Sequence, residues 1–215
     1  MWLRERLLFF SSFRKRFHDT GAIMPSSRVL AKAMVAGMGT SNDPRKILEV
    51  GPGTGSFTWE IIPLLGPKDE LHLCEINPDL LSFLQSKIEE NPEFANHRHQ
   101  IVYHNCPIQD LDPALSFHHI VSGLPFNNFR PELVEDILNS YRRRLLPGGT
   151  ARIFEYLAVR HAKMPFVDDQ ERDRLKRISS IMKEICGQYA IFKRIIWLNF
   201  PPGIAWCLCF DGAAQ

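Results

Sequence analysis

Long apolar runs are missing from this 215-residue chain: none approaches the roughly 18 to 20 residues of a membrane-spanning helix. The stretch Leu7 to Phe10 also lacks the apolar core and small-residue cleavage site of a secretory leader, so a chain that does not cross a membrane is expected. Cysteine is scarce. The 5 cysteines, at 74, 106, 186, 207 and 209, show no CxxC spacing and leave one over, which argues against a zinc site or a disulfide framework and for a reducing cytoplasm. No metal is expected. Charge of one sign is wanting too: 26 Lys and Arg face 24 Asp and Glu, and a net +2 is too mild to imply a nucleic-acid partner by its sum. Repeats, low-complexity tracts and linkers long enough for a second folded domain are absent. What is present, 45% hydrophobic and 23% charged residues, suits one globular core.

The chain alternates between strand and helix patterns. A basic helix over about 2–17 leads through "TGAIMPSSRVLAKAMV", where Pro25 and two serines mark a helix start, into a helix at 26–38. Strands are expected at 46–50, 71–75, 100–103, 118–122 and 151–156, with helices at 56–65, 78–90 and 131–145. Short apolar strands such as "KILEV" in β-α-β-α order predict a parallel sheet covered by helices on both faces. A charged helix at about 168–186 then precedes "YAIFKRIIWLNF" and "IAWCLCF", which, joined through Pro201, Pro202 and Gly203, read as an antiparallel pair at the sheet edge. The expected organisation is a separate helix over 1–20 and one α/β domain over 21–215.

The stretch "EVGPGTGSF", residues 49–57, turns the first strand into its crossover helix. At the carboxyl ends of parallel strands, glycines let a ligand approach the backbone. No Gly-Lys-Ser/Thr follows, which excludes a P-loop, and Ser56 stands where a dinucleotide fingerprint wants its last glycine. Gly51, Pro52, Gly53, Thr54 and Gly55 are therefore candidates to cradle another ligand. Glu75, with Ile76 beside it, ends the second strand; a carboxylate there can accept from two ribose hydroxyls. Glu49 adds an acceptor suited to an amino-acid ammonium. Adenosine and an amino-acid tail in one ligand suggest S-adenosylmethionine.

A third element, "VSGLPFNNF" at residues 121–129, ends the fourth strand. Together these motifs resemble the class I S-adenosylmethionine-dependent methyltransferases, which implies a Rossmann-like, mostly parallel seven-stranded sheet with an antiparallel edge hairpin. Within that class, "TGAIMPSSRVLAKAM", "ILEVGPGTGSFT", "SGLPFNNF", "LLPGGTARIFEY" and "NFPPGIAW" are similar to bacterial phospholipid N-methyltransferases, which act on phosphatidylethanolamine, and to the related ornithine-lipid N-methyltransferases. The resemblance implies donor contacts from Ser122, Gly123 and Leu124. In many class I enzymes an acid after the third strand meets the adenine amine; "HNCPIQDL" has Cys106 there, leaving backbone groups of Cys106 and Pro107, or Asp110 nearby. The Asn-Leu-Pro-Tyr loop typical of rRNA adenine methyltransferases is replaced by Gly123, Leu124, Pro125 and Phe126, which weakens an RNA reading.

Methyl transfer to an amine needs that amine neutral and aligned. Tyr156 and His161 are candidates to contact it or relay its proton, and Asn127 and Asn128 offer carbonyl acceptors. Phe126 and Tyr156 could present ring faces to the charge that accumulates on nitrogen, worth roughly 0.5 to 2 kcal/mol. For access to lipid, the helix at 2–17 carries Trp2, Phe10, Phe13 and Phe17 on a broad apolar face, with Arg4, Arg6, Arg14 and Lys15 among its cations. Such a helix suits an anionic bilayer interface; packing on the sheet and RNA binding are its alternatives. The resemblance implies a peripheral enzyme on the cytoplasmic membrane face, with no nucleic-acid partner. The charged stretch from Asp168 to Arg177 reads as a solvated helix face with local ion pairs.

Overall fold

The computed structural model describes residues 25–156, 168–197 and 202–211. The amphipathic helix expected at 2–17, and with it Trp2, Arg4, Arg6, Phe10, Phe13, Arg14, Lys15 and Phe17, lies outside the described residues, as does His161.

Seven strands form one sheet. In chain order the elements are α1 (Pro25–Val35), β1 (Lys46–Val50), α2 (Thr58–Ile61), β2 (Glu70–Cys74), α3 (Pro78–Glu90), β3 (Ile101–His104), β4 (Phe117–Ser122), α4 (Pro131–Arg144), β5 (Leu145–Tyr156), α5 (Asp169–Tyr189), β6 (Ala190–Ile196) and β7 (Gly203–Cys209). The strand order is β3-β2-β1-β4-β5-β7-β6, with β1 to β5 parallel and β7 antiparallel to both of its neighbours. Strand order reverses between β1 and β4, which opens a crevice at their carboxyl ends.

The central strands show why the sequence chooses this arrangement. In β1, Ile47 to Val50 are all buried, and side chains leave the two faces alternately. Ile47 joins a core with Met34, Ile61, Leu84 and Ile88 beneath α1, α2 and α3; Leu48 and Val50 join the other, with Val134, Tyr141, Ile178 and Met182 beneath α4 and α5. Helix α5 buries Leu175, Ile178, Met182, Cys186 and Tyr189, a spacing of three and four that turns one stripe inward. Its start is capped by Asp168, whose side chain accepts from the Glu171 N–H. Asn77 caps α3 in the same way through the Asp79 N–H, and Pro78 fills the first helical position.

At the amino-terminal edge of the sheet, buried Arg45 and Asp69 pair at 2.5 Å. Arg45 also donates to the carbonyls of Met38 and Leu64, and the Gly66 N–H donates to Asp69. Burial opposes ionisation of Asp69, but the Arg45 hydrogen bond, the Gly66 N–H and the guanidinium charge hold its carboxyl below the ordinary value.

Several boundaries differ from expectation. The helix expected to reach residue 38 stops at Val35, and Gly37 follows at φ +78. The one expected over 56–65 is the four-residue α2 followed by a 3₁₀ turn, Ile62–Leu64, around Pro63, which has no N–H to continue an α-helix. Strand β5 begins at Leu145 rather than 151, and α5 runs on to Tyr189.

Candidate active site

The glycine turn leaves β1 at the crevice. Gly51 holds φ +68, and its N–H donates to the Cys74 carbonyl at 2.9 Å. A Cβ on Gly51 would stand 2.6 Å from Leu124 Cδ2, and one on Gly123 would meet the Gly51 carbonyl oxygen at 2.5 Å. The β1 and β4 turns are thus in backbone contact, which only glycine permits. Gly55 has a different reason: a Cβ there would press on Trp59 at 2.6 Å and Leu84 at 2.8 Å, so it admits helix packing as much as ligand. Pro52 is buried and Thr54 exposed.

Glu75 follows β2, and its N–H donates to the His104 carbonyl. Its buried carboxylate accepts from the Gly53 N–H at 3.2 Å through one oxygen and from the Asn77 N–H at 3.0 Å through the other. Glu75 therefore fastens the glycine turn to the start of α3 while facing the cleft. Glu49 is fully buried below it and accepts from the Thr58 hydroxyl at 2.6 Å.

A cleft follows these elements, lined by Gly51, Glu75, Ile76, Cys106, Pro107 and Leu124, with Ile108, Gln109, Phe129, Leu133 and Ile137 completing the wall. Its apolar slot beside a strand-end carboxylate and a glycine turn has the chemistry to hold the adenosine part of S-adenosylmethionine, with Ile76, Ile108 and Leu124 placed to flank a flat ring and Glu75 placed to meet a ribose. Gln109 rather than Asp110 lines the cleft; Asp110 is exposed at the end of a 3₁₀ turn, where its N–H donates to the Pro107 carbonyl. The Cys74 thiol donates to the Cys106 carbonyl at 3.1 Å. A hydrogen bond from Cys74 pulls the Cys106 thiol down to about 7 against burial, and the same neighbour and burial push Cys74 up.

The loop that follows β4, residues 122–129, is organised from below and from the side. Ser122 accepts from the buried Tyr141 hydroxyl at 2.8 Å and from the Leu124 N–H at 3.4 Å. Phe126 is buried and meets Phe129 edge-on, with ring centres 6.4 Å apart, so it forms part of the core beneath the loop rather than its surface. Asn127 and Asn128 are half-buried; the Asn127 carbonyl accepts from Arg174 at 2.9 Å, and the Phe129 carbonyl accepts from the same guanidinium. Sequence reasoning missed Arg174. Among Asp169 to Arg177 it predicted a solvated face, which holds for the exposed pairs Arg172–Asp169 and Lys176–Asp173, but Arg174 turns its guanidinium between Glu171 and the loop. Nothing in the charge pattern separates it from its neighbours.

Tyr156 ends β5 on the other face of the sheet, half-buried and edge-on to Phe154 at 5.3 Å, which in turn meets Phe57 beyond the glycine turn. Burial raises its phenol above the ordinary value, so it is a neutral hydrogen-bonding group at neutral pH. Among the described residues no cluster of His, Cys, Asp or Glu is arranged to hold a metal ion, and no helix is long and apolar enough to cross a membrane.

This strand order, with its last strand inserted antiparallel and a glycine turn at the reversal, is the Rossmann-like fold of the class I S-adenosylmethionine-dependent methyltransferases. Residues 48–151 match the family model described as a methyltransferase domain. The chain is 29% identical over 154 residues to the ornithine lipid N-methyltransferase of Singulisphaera acidiphila, covering 69% of this chain and 76% of that protein. It is 26% identical over 161 residues to the mitochondrial 2-methoxy-6-polyprenyl-1,4-benzoquinol methylase of Schizosaccharomyces pombe, spanning 70% of this chain but about half, 52%, of that one. The crystal structure of the glycopeptide N-methyltransferase MtfA complexed with sinefungin superposes with a TM-score of 0.66 at 13% identity, over 89% of this chain and 90% of MtfA, and shares the fold.

Proposed function

We propose that the protein transfers methyl groups to the headgroup amine of a membrane lipid. The observation that carries this reading is the similarity to an ornithine lipid N-methyltransferase over 69% of the chain, at a site whose cleft walls are mostly apolar. Phosphatidylethanolamine, which the sequence motifs suggest, and ornithine lipid, which the relative acts on by name, both offer a primary amine.

When bound, S-adenosylmethionine supplies an electrophilic methyl carbon. The chain's own part is to hold the donor and to deliver a neutral nitrogen. Gly51, Gly53 and Gly55 shape the turn, Glu75 would accept from the ribose, and Ile76, Cys106, Pro107 and Leu124 would enclose the base. Of the described residues lining the cleft, Glu75 is the carboxylate, and it is committed to the glycine turn. Deprotonation of the acceptor would therefore rest first on desolvation against Phe129 and Leu133, the cleft residues not assigned to the base, which disfavours the ammonium form. The amide side chains of Asn127 and Asn128 would accept from the amine, and Tyr156 would offer its hydroxyl and ring face. The basic, aromatic segment over residues 2–17 would bring this rim to an anionic bilayer on the cytoplasmic side.

The test supplies purified protein and radiolabelled S-adenosylmethionine to phosphatidylethanolamine, to ornithine lipid and to ribosomal RNA in separate reactions. Label in one lipid supports the reading and selects the headgroup. Label in RNA alone, or in none of the three despite donor binding, overturns it.

A further inference from the structure

Among the described residues, strand β6, Ala190–Ile196, is the outermost of the sheet on its side, with no strand paired to its outer edge. Edge strands are normally blunted by charge, proline or brevity. This one instead exposes Ile191 at 60%, Phe192 at 39%, Ile195 at 42%, and then Trp197 at 71% just beyond its end. Exposed Lys193 and Arg194 lie among them, and the strand "AIFKRII" carries no acid. Scattered exposed apolar side chains need no explanation; four large ones within seven positions do.

Two further facts bear on what covers them. Strand β6 is antiparallel to β7, and β7 to β5, so β6 runs in the direction of the cofactor-binding strands. Ile196 and Tyr156 both pair with Gly203, which puts Trp197 at the sheet edge that carries the glycine turn and the loop after β4. Behind the strand, a groove of ≈ 620 Å³ runs between α5 and the β6–β7 pair, with Lys183 on its helix wall and Lys193 on its strand wall. Lys193 Nζ lies 5.5 Å from the Trp206 ring centre, and Glu155, the acid lining this groove, accepts from the Trp206 indole N–H at 3.0 Å. The surface is thus apolar at its tip and cationic at its flank.

We infer that the β6 edge is a membrane-docking surface: Ile191, Ile195 and Trp197 enter the acyl boundary, while Lys193, Arg194 and Lys183 meet lipid phosphates. Interfacial sites combine an amphipathic ring, aliphatic side chains and a few cations in this way. Self-pairing of two β6 edges is the competing use, and it would bring Lys193 and Arg194 of one copy against those of the other. An anionic bilayer turns the same cations to advantage. The inference rests on the lipid reading above and deepens it, since docking by this edge presents the loop after β4 to the headgroup layer.

The test separates docking from catalysis by using vesicles of phosphatidylcholine with and without phosphatidylglycerol, neither of which carries an amine that can be methylated. Full-length protein and the pairs Ile195→Ser/Trp197→Ser and Lys193→Glu/Arg194→Glu are compared by co-sedimentation, with thermal melts and S-adenosylhomocysteine binding as controls. The apolar pair should weaken vesicle binding by at least about tenfold. The charge pair should lower affinity for anionic vesicles about tenfold or more and reduce the gain in binding that phosphatidylglycerol gives the wild type. Brominated acyl chains should quench wild-type fluorescence more than that of Trp197→Phe. If the apolar pair lowers the melting temperature, the charge pair and the quenching comparison decide. Wild-type protein that ignores vesicles, variants that bind them unchanged, or a wild-type dimer that the substitutions convert to monomer without altering vesicle binding would each overturn the inference. Methyl transfer to lipid in detergent micelles, assayed alongside, reports on the proposed reaction whichever way docking falls.

Discussion

Replacing Glu75 separates two roles that the structure joins. Its carboxylate accepts from the Gly53 and Asn77 N–H groups, and the same residue lines the cleft proposed for the donor. In Glu75→Ala, two buried amides lose a charged acceptor, at about 1 to 2 kcal/mol each once water has partly replaced it. That sums to about 2 to 4 kcal/mol, or a melting temperature lower by roughly 5 to 15 °C for a chain of this size. Donor binding loses two ribose hydrogen bonds to a charged group, about 1.5 to 3 kcal/mol each, and so falls by about two to four orders of magnitude. Glu75→Gln sharpens the comparison. Its carbonyl can still serve one of the two amides, so about half of the stability returns, whereas the lost charge leaves binding weakened by at least tenfold. Calorimetric titration with S-adenosylhomocysteine, paired with thermal melts of the free protein, measures both. A Glu75→Ala protein that melts like wild type and binds within threefold of it would refute the argument.

Three further outcomes are expected. Arg174→Met, which removes the donor to the Asn127 and Phe129 carbonyls, should lower kcat/KM for the lipid acceptor about three- to tenfold while leaving S-adenosylhomocysteine affinity within twofold; a change confined to the donor would contradict its place at the loop. Cys106 should alkylate with iodoacetamide at a rate that rises with pH about a midpoint near 7, and saturating S-adenosylhomocysteine should protect it, as mass spectrometry of the tryptic peptide would show; a midpoint above 8 or no protection would contradict this. His119 is held down to about 4 by burial and then by the Arg152 charge. Its folded value lies below the unfolded one near 6.5, so the unfolded chain takes up the proton first and stability falls as pH drops from about 6.5 toward about 4, by up to about 3 kcal/mol. Urea midpoints for wild type and His119→Gln should converge as pH falls through that window, and parallel curves would refute the assignment.

The parts of the fold legible in the sequence are those with one dominant local cause. Strand β1 and helix α3 fall at 46–50 and 78–90 as expected, because "KILEV" is apolar on both faces and Asn77-Pro78-Asp79 is a cap, a first-turn proline and a first-turn acid together. The edge pair β6–β7 was legible from two β-rich runs around Pro-Pro-Gly; the insertion of β7 between β5 and β6 was not, since nothing local records a strand's neighbours. Glu75 and Gly51 stand at the cleft because chain order alone places strand ends at the crevice. Packing decided the rest. Arg174 reaches the loop because α5 passes beside it, and Gly55 answers to Leu84 as well as to Trp59; both depend on contacts between residues far apart in sequence, whereas Phe126 turns into the core against the nearby Phe129.

The place of β7 has a consequence for how the chain is made. It is the last of the described strands to be synthesised, yet it lies inside the sheet, hydrogen-bonded to β5 over Thr150 to Tyr156 and to β6 over Ala190 to Ile196. Until residue 209 has been synthesised, the β7 side of β5 and of β6 is unfilled, so the half of the sheet beneath α5 cannot close before then. The nascent protein therefore exposes "AIFKRII" and the apolar stripe of α5 at the same moment, which is when a holding chaperone would be needed most.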